Sequence, residues 1–324
     1  MKPTIKDVAK LANVSVSTVS RVINNKESVH ESTRQIVLDA IDKLEFVPNQ
    51  IARNLTSRSS QMIGVIVPHI GSAFYSDLLE GIEKKATSYG YHIIFCNTQD
   101  DLEKEATYLK VFDQYKVDGL IVASNFLRLD DLLELNIPTV TVDHVLNESF
   151  PSVTSDNIKG GELAAQELVD QGAKNVLLFR GPSFLMTTTE RTMGCINIFD
   201  KHNTKYEIYD FDLIYPDINL IENILKNHQD LDGIICYGDN LAIATISILN
   251  KLGMKVPDDV LIIGYDNMPI SKWITPSLTT VEQDVKLMGR TAFNILYNLI
   301  KEYPIDEHNY IVDVELVARK STKR

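Results

Sequence analysis

From residue 61 onward, short apolar runs alternate with amphipathic stretches of helical period, and this alternation restricts the fold more than any other feature of the chain. It predicts strands at Met62–Val67, His92–Cys96, Gly119–Ala123, Thr139–Val142, Asn175–Phe179, Gly233–Tyr237 and Val260–Gly264. Helices are expected near residues 74–89, 102–115, 158–171, 189–202, 218–227, 240–252 and 286–301. A βαβα rhythm implies parallel sheets covered by helices on both faces. A single sheet would have to hold about ten strands, so two smaller Rossmann-like lobes with a cleft between them fit the pattern better.

The first 46 residues behave differently. Residues 4–46 lack strand alternation and carry three apolar stripes: Val8, Leu11 and Ala12; Val16, Val19, Val22 and Ile23; and Ile36, Val37, Ile41 and Leu44. Thr4 is placed to cap the first helix, with Asp7 three residues on completing a capping-box pattern. Ser32 or Thr33 is the expected start of the third helix, and Pro48 follows its end. Ile5–Ala12, Asn13-Val14-Ser15 and Val16–Asn24 have helix-turn-helix spacing. Ala9 is small where the helices must approach, Asn13 tolerates a left-handed turn, and Ser15 can cap the second helix.

In such a motif the N-terminal part of the second helix faces base edges in the major groove. Val16 suits a thymine methyl, Ser17 a base or phosphate, and Arg21 a guanine or phosphate. An ordinary small helical bundle would share this pattern. The next segment, Asn49 to Leu55, is too short to be a stable helix alone. It can order on DNA, with Leu55 as a minor-groove wedge and Arg53 near phosphate, or serve as a plain linker with Ile51 and Leu55 buried.

The formal charge of −12 looks wrong for a DNA reader until it is divided. Residues 1–60 hold nine Lys/Arg against six Asp/Glu, whereas the remainder holds 23 against 38. A basic module on an acidic body confines phosphate contact to the module. Cys96, Cys195 and Cys236 lie far apart in apolar runs, which suits buried thiols in a reducing cytosol and offers no zinc spacing. No apolar stretch approaches membrane-spanning length, and the N-terminus carries charges where a signal peptide has its apolar core. A cytoplasmic protein without cofactor or metal is expected. No P-loop, GxSxG, HExxH or strand-borne GxGxxG appears, and the seven histidines do not cluster, so an enzyme is not expected.

Open α/β sheets bind ligands at the carboxyl ends of their strands. Asp143 and His144, Asp239 and Asn240, and Asp266 and Asn267 all follow predicted strands, and Arg191 lies in the Thr-rich start of a helix behind Gly181-Pro182. Such groups can hydrogen-bond sugar hydroxyls, with Phe74, Tyr75, Phe126, Phe184 or Trp273 packing on the ring; each can equally be a cap or a surface group.

The runs TIKDVAKLANVSVSTVSRVIN, FVPNQIARNLTSRSSQMIGVIVP, SDNIKGG, IIGYDN and PSLTTVEQ, in this order and spacing, make the chain resemble the LacI/GalR family of bacterial repressors over essentially its whole length. The resemblance implies an α/β protein with an N-terminal all-α helix-turn-helix headpiece at 1–46 and a hinge helix or linker at 47–60. A two-lobed, Rossmann-like core similar to periplasmic binding proteins would follow at 61–324. The N-lobe would take about 61–155 and 285–312, and the C-lobe about 156–284 and 313–324. It further implies a homodimer on a pseudo-palindromic operator of double-stranded DNA, released when a sugar or sugar phosphate enters the cleft. The chain stops at LVARKSTKR, where dimeric members stop.

On this reading Val16, Ser17 and Arg21 meet the major groove and Leu55 the minor groove, within a DNA-facing set of Thr4, Ser15, Thr18, Ser20, Asn24, Asn49, Ala52 and Arg53. The effector set is Arg191 and Asp266 first, then Asp143, with Phe74, Tyr75, Asn125, Phe184, Asp239 and Trp273. Gly238 departs from the pattern, because many sugar-responsive members carry Asn before Asp239; Tyr237 or Asn240 would have to compensate. Asp156 and Asn157 look structural, at a lobe crossover. The rival readings are a regulator whose DNA binding is promoted by a small molecule or a phosphorylated carrier protein, and a sugar-transport component.

Overall fold

A computed structural model describes residues 3–23, 28–46, 59–124, 126, 129–147, 149–212 and 215–323. Asn24, Asn49, Ala52, Arg53, Leu55 and Asn125, all named above as contacts, lie outside the described residues. The chain divides into two units, Met1–Ser60 and Gln61–Arg324.

In the first unit, α1 (Ile5–Ala12), α2 (Val16–Ile23) and α3 (Glu31–Lys43) enclose a core of Val8, Ala9, Ala12, Val19, Val22, Val37 and Ala40. The Asp7 carboxylate accepts from the Thr4 N–H (2.9 Å) and from the Thr4 hydroxyl (2.7 Å), which fixes the start of α1. Asn13 turns the chain in the left-handed region (φ 52°), and the Val14 N–H closes back on the Ala9 carbonyl at 3.0 Å. Ser15 Oγ accepts from the Thr18 N–H at 3.1 Å and so caps α2. The third helix begins at Glu31, ahead of the expected Ser32 or Thr33, with His30 as its capping residue and the Ser32 hydroxyl bonded to the His30 ring. Leu11, Val16 and Ile36, assigned to apolar stripes, stand exposed, because three short helices enclose only the inner residue of each stripe.

Among the described residues the second unit carries twelve strands in two six-stranded sheets, with helices on both faces. The first lobe runs β1 (Met62–Val67), α4 (Ala73–Ser88), β2 (His92–Asn97), α5 (Leu102–Tyr115), β3 (Gly119–Val122), α6 (Leu129–Leu135), β4 (Thr139–Val142) and β5 (Ser152–Ser155). The second runs α7 (Asn157–Asp170), β6 (Asn175–Arg180), α8 (Met186–His202), β7 (Lys205–Asp210), α9 (Ile218–Asn227), β8 (Gly233–Cys236), α10 (Asp239–Lys251), β9 (Leu261–Tyr265) and β10 (Thr279–Gln283). The chain then returns through α11 (Val285–Ile300) and β11 (Asn309–Val312) and ends in β12 (Val314–Val317). The sheet orders are β11-β5-β4-β3-β1-β2 and β12-β10-β9-β8-β6-β7, and only β12 pairs antiparallel, against β10.

Three segments therefore pass between lobes: β5 to α7, β10 to α11, and β11 to β12. Each begins on an aspartate. Asp156 accepts from the Lys159 N–H and Asp284 from the Leu287 N–H, capping α7 and α11. Asp313 takes the Lys159 ammonium at 2.5 Å.

The expected strands and helices all form, with ends shifted by up to three residues; α8 starts at Met186 rather than 189. Five strands, β5, β7, β10, β11 and β12, and the short helix α6 were not expected. Ser152–Ser155 is polar in composition yet wholly buried, because β4 and β11 flank it in the sheet. Lys205–Asp210 is charged because it is an edge strand.

Candidate functional site

The headpiece offers one exposed face of α2. Val16, Ser17 and Arg21 are exposed and Ser20 half-buried, while Val19 and Val22 on the opposite side fill the core. The helical period places residues i, i+1, i+4 and i+5 on one face, so the four sit together. Ser15 Oγ lies 2.8 Å from both the Ser17 and the Thr18 hydroxyls, which holds the first turn of α2 in place. No acidic residue stands in that turn, and Arg21 is the basic residue of the helix's last turn. The Thr4 hydroxyl is engaged with Asp7.

In the second unit a cavity of about 860 Å³, counted out to its open mouth, lies at the carboxyl ends of both sheets. The first lobe contributes His69, Phe74, Tyr75, Asp100 and Asp143. The second contributes Arg180, Arg191, Phe211, Asp212, Tyr237, Gly238, Asn240, Asp266 and Gln283. Phe74 and Tyr75 meet edge to face with centroids 5.1 Å apart.

Arg191 is buried at 8% exposure and committed on three sides. Its Nε–H donates to Asn157 Oδ1 (2.9 Å), Nη1 to the Tyr237 carbonyl (3.1 Å) and Nη2 to Gln283 Oε1 (3.4 Å). Its guanidinium carbon lies 3.6 Å from the Tyr265 ring centroid and 4.6 Å from that of Tyr237. Burial works against its charge, but Tyr265, Tyr237, Asp266 and Asp143 together outweigh it and hold the group more firmly protonated than usual.

The two acids of the site carry the opposite stress. Burial pushes the Asp143 carboxyl up to about 7; Arg191 pulls it back, and Asp266 and Glu190 add to the rise. Its Oδ1 is shielded from solvent and has no hydrogen-bond partner among the described residues. Asp266 is likewise raised by burial, against Arg191 and a 2.6 Å hydrogen bond donated by Gln283 Nε2. Burial also raises the Tyr75 and Tyr237 phenols, so both remain neutral donors. The arrangement presents hydroxyl and carboxylate groups between aromatic faces, suited to a small polyhydroxylated ligand.

Three sequence-chosen contacts fall elsewhere. Asp239 is fully buried and turned from the cavity: it accepts from the Ser271 and Thr280 hydroxyls at 2.6 Å each and from the Met268 N–H at 2.8 Å, tying α10 to the segment after β9. Trp273, at 74% exposure, stands outside the cavity. Phe184 packs on Phe126 with ring centroids 5.5 Å apart, and neither lines the cavity. His144 is set beside the cavity rather than in it, its Nε2 buried without a partner among the described residues and its basicity lowered by burial. Gly238 leaves room for Asp266: a Cβ there would stand 3.3 Å from Asp266 Oδ2. Tyr237 and Asn240 do line the cavity. Sequence reasoning missed Gln283, Phe211, Asp100 and Asp212. Gln283 closes the run PSLTTVEQ, so its signal was present without a role attached to it.

Two family models divide the chain between them. Residues 4–49 match the bacterial regulatory proteins of the lacI family, and residues 60–320 match the periplasmic binding proteins and sugar binding domain of the LacI family. The chain belongs to the LacI family. It is a DNA-binding transcription regulator with a sugar-binding-type core, and not an enzyme. A ribose operon repressor of Bacillus subtilis (strain 168) is 36% identical over 323 residues, covering 99% of each chain. A periplasmic binding protein/LacI transcriptional regulator from Alkaliphilus metalliredigens QYMF, solved with D-xylulofuranose, is 30% identical with a TM-score of 0.76, covering 82% of this chain and 100% of that one. The lac repressor dimer bound to operator and the anti-inducer ONPF superposes with a TM-score of 0.89 at 25% identity, over 99% of each chain. Among the described residues no helix is long and apolar enough to cross a membrane.

Proposed function

We propose that this LacI-family regulator acts in the cytoplasm as a homodimer that represses a sugar-utilisation operon and is released when a neutral pentose fills the cavity. The observation that carries the effector class is the charge balance around Arg191. Its guanidinium interacts electrostatically with the raised carboxyls of Asp143 and Asp266 and gives three of its five N–H donors to Asn157, Tyr237 and Gln283. A phosphate dianion would meet two buried acids, Asp143 and Asp266, with Arg180 at the cavity wall already paired to Asp210, whereas sugar hydroxyls give Asp143 Oδ1 a donor that it lacks among the described residues. The names of the relatives, a ribose operon repressor and a periplasmic binding protein/LacI transcriptional regulator solved with a pentulose, agree with this class.

Phe74, Tyr75, Asp143, Arg191, Asp266 and Gln283 are the proposed effector contacts. Val16, Ser17 and Arg21 read the major groove, and the segment 47–60 is the hinge through which Leu55 enters the minor groove. An effector shifts the equilibrium only by its differential affinity for the DNA-bound and released states. The test is a titration of operator-bound protein with D-ribose and with ribose 5-phosphate. Release by D-ribose at the lower concentration is expected. Preference for the phosphate ester would refute the effector class, and tightening of DNA binding by either sugar would favour the co-repressor reading.

A further inference from the structure

The run SDNIKGG lines no part of the cavity, yet its residues close around Arg191. We infer that the first turns of α7, through Asn157, Gly160 and Gly161, form a seat that positions Arg191 for the effector and ties it to the lobe crossover. The inference rests on the reading of Arg191 as an effector contact. Three independent contacts make the seat.

Asn157 holds the side chain. Its Oδ1 accepts the Arg191 Nε–H at 2.9 Å, while its Nδ2 donates to the Ser155 carbonyl and to Glu190 Oε2, each at 3.1 Å. Fixing Nε–H fixes the plane of the guanidinium, because the group is rigid. With the bonds to Tyr237 and Gln283, three of its five N–H donors are then engaged and the remaining two are presented in a set direction. Asn157 is 1% exposed, so its amide has no solvent to exchange these partners with.

Gly160 admits the surface under the guanidinium. A Cβ at Gly160 would overlap the Tyr265 hydroxyl, and it is the Tyr265 ring that stacks 3.6 Å from the Arg191 guanidinium carbon. Gly161 admits the backbone. A Cβ there would overlap the Arg191 carbonyl oxygen, which cannot swing aside as a side chain can. Gly194 on α8 does the reciprocal service, since its Cβ would overlap the Ile158 carbonyl oxygen. The helices α7 and α8 thus meet backbone to backbone at the turn that bears Arg191.

The seat also has a direction in the molecule. Ser155 is the last residue of β5 in the first lobe, and Asn157 is the first of α7 in the second. One asparagine side chain therefore bonds both to the crossover strand and to the effector arginine. Asn157, Gly160 and Gly161 are positioning residues: they act on the effector through Arg191.

The experiment is a double-mutant cycle in the full-length protein with D-ribose as the probe, using wild type, Asn157→Ala, Arg191→Lys and the double variant. Losing a hydrogen bond to a charged group is expected to weaken D-ribose binding by about 10-fold or more in Asn157→Ala. In the Arg191→Lys background the same change should cost less than about twofold, because the group it positions has gone. Equal losses in both backgrounds, or none in the first, would overturn the seat. If Arg191→Lys alone leaves D-ribose binding intact, or wild type binds no D-ribose, the effector reading fails. The seat is then decided by a ligand-free measurement, the nitrogen-15 resonance of the Arg191 Nε–H, assigned by its loss in Arg191→Lys. A slowly exchanging signal in wild type that is lost or shifted in Asn157→Ala supports the seat. A fast-exchanging signal in wild type, or one unchanged in a folded Asn157→Ala, refutes it. The wild-type signal decides even if the variant does not fold.

Discussion

Effector binding should weaken on acidification, and Asp143 sets both the sign and the size. In the effector-free core burial holds its carboxyl at about 7, with Arg191 opposing and Asp266 and Glu190 reinforcing the rise. Sugar hydroxyls donating to the unpartnered Oδ1 favour the ionised form and lower the pKa in the complex. The protonated protein must therefore lose a proton to bind. Affinity is complete above the free-state value and falls as the pH drops through it. Taking 7 for the free protein and a bound value below the range studied, the loss from pH 8 to pH 6 is about tenfold. Near pH 7 about half a proton leaves per site occupied. Isothermal titration of D-ribose in two buffers of different ionisation enthalpy reads both quantities. Asp143→Asn is the control: it should bind more weakly and flatten the slope and the proton release, leaving only what Asp266, likewise raised by burial in the cavity, contributes. His144, also neighbouring the site, has its basicity lowered by burial and so stays neutral through this window. A flat wild-type profile between pH 6 and pH 8, or tighter binding in acid, would refute the assignment of Asp143 as the titrating contact.

Asp143 should also cost the empty core stability. An acid raised on folding contributes fully below its unfolded pKa and loses that contribution as pH rises through the folded value, here from the ordinary 3.8 to about 7. Asp143→Asn should therefore raise the effector-free melting temperature at pH 8 and change it little at pH 4; a lower melting temperature at pH 8 would contradict the buried, unpartnered oxygen. Arg21→Ala should weaken operator binding. A phosphate contact would lower the slope of log affinity against log salt by about one, whereas a base contact would relax the preference at one base pair; an unchanged affinity removes Arg21 from the DNA face. Gly160→Ala should destabilise the core by about 1–3 kcal/mol through overpacking, and Tyr265→Phe in the same chain should recover part of that by removing the overlapped hydroxyl. Chemical denaturation reads this, and no recovery would mean that the clash lies elsewhere.

The parts that were legible in the sequence are those governed by neighbours along the chain. Thr4 with Asp7, Asn13 and Ser15 gave the ends of α1 and α2, because capping and left-handed turns are decided within a few residues. The long strands and helices of the core followed from their period. Ser152–Ser155 did not, since its Ser/Thr content is that of a loop until β4 and β11 bury it from both sides. The same limit applies to the cavity. Asp143, Asp239 and Asp266 share one signature, an acid just after an apolar strand. Asp143 and Asp266 have left-handed backbones (φ 62° and 100°) and line the cavity. Asp239 instead opens α10 and turns inward onto Ser271 and Thr280. Aromatic character was no better a guide: Phe74 and Tyr75 enter the cavity, whereas Trp273 stays in solvent and Phe184 pairs with Phe126.

The sequence alone determined a helical DNA-reading headpiece, an alternating α/β core and, through its ordered motifs, the family, because periodicity, capping and motif order are properties of the chain read in one direction. Only the tertiary structure decided how twelve strands divide into two sheets, with Asn309–Val312 returning to pair beside Ser152–Ser155. It also decided which strand-end acids face the cavity, and that SDNIKGG wraps the arginine more than thirty residues beyond it. These are outcomes of packing between segments far apart in the chain, where burial and close backbone approach, rather than local preference, set the side chain's direction.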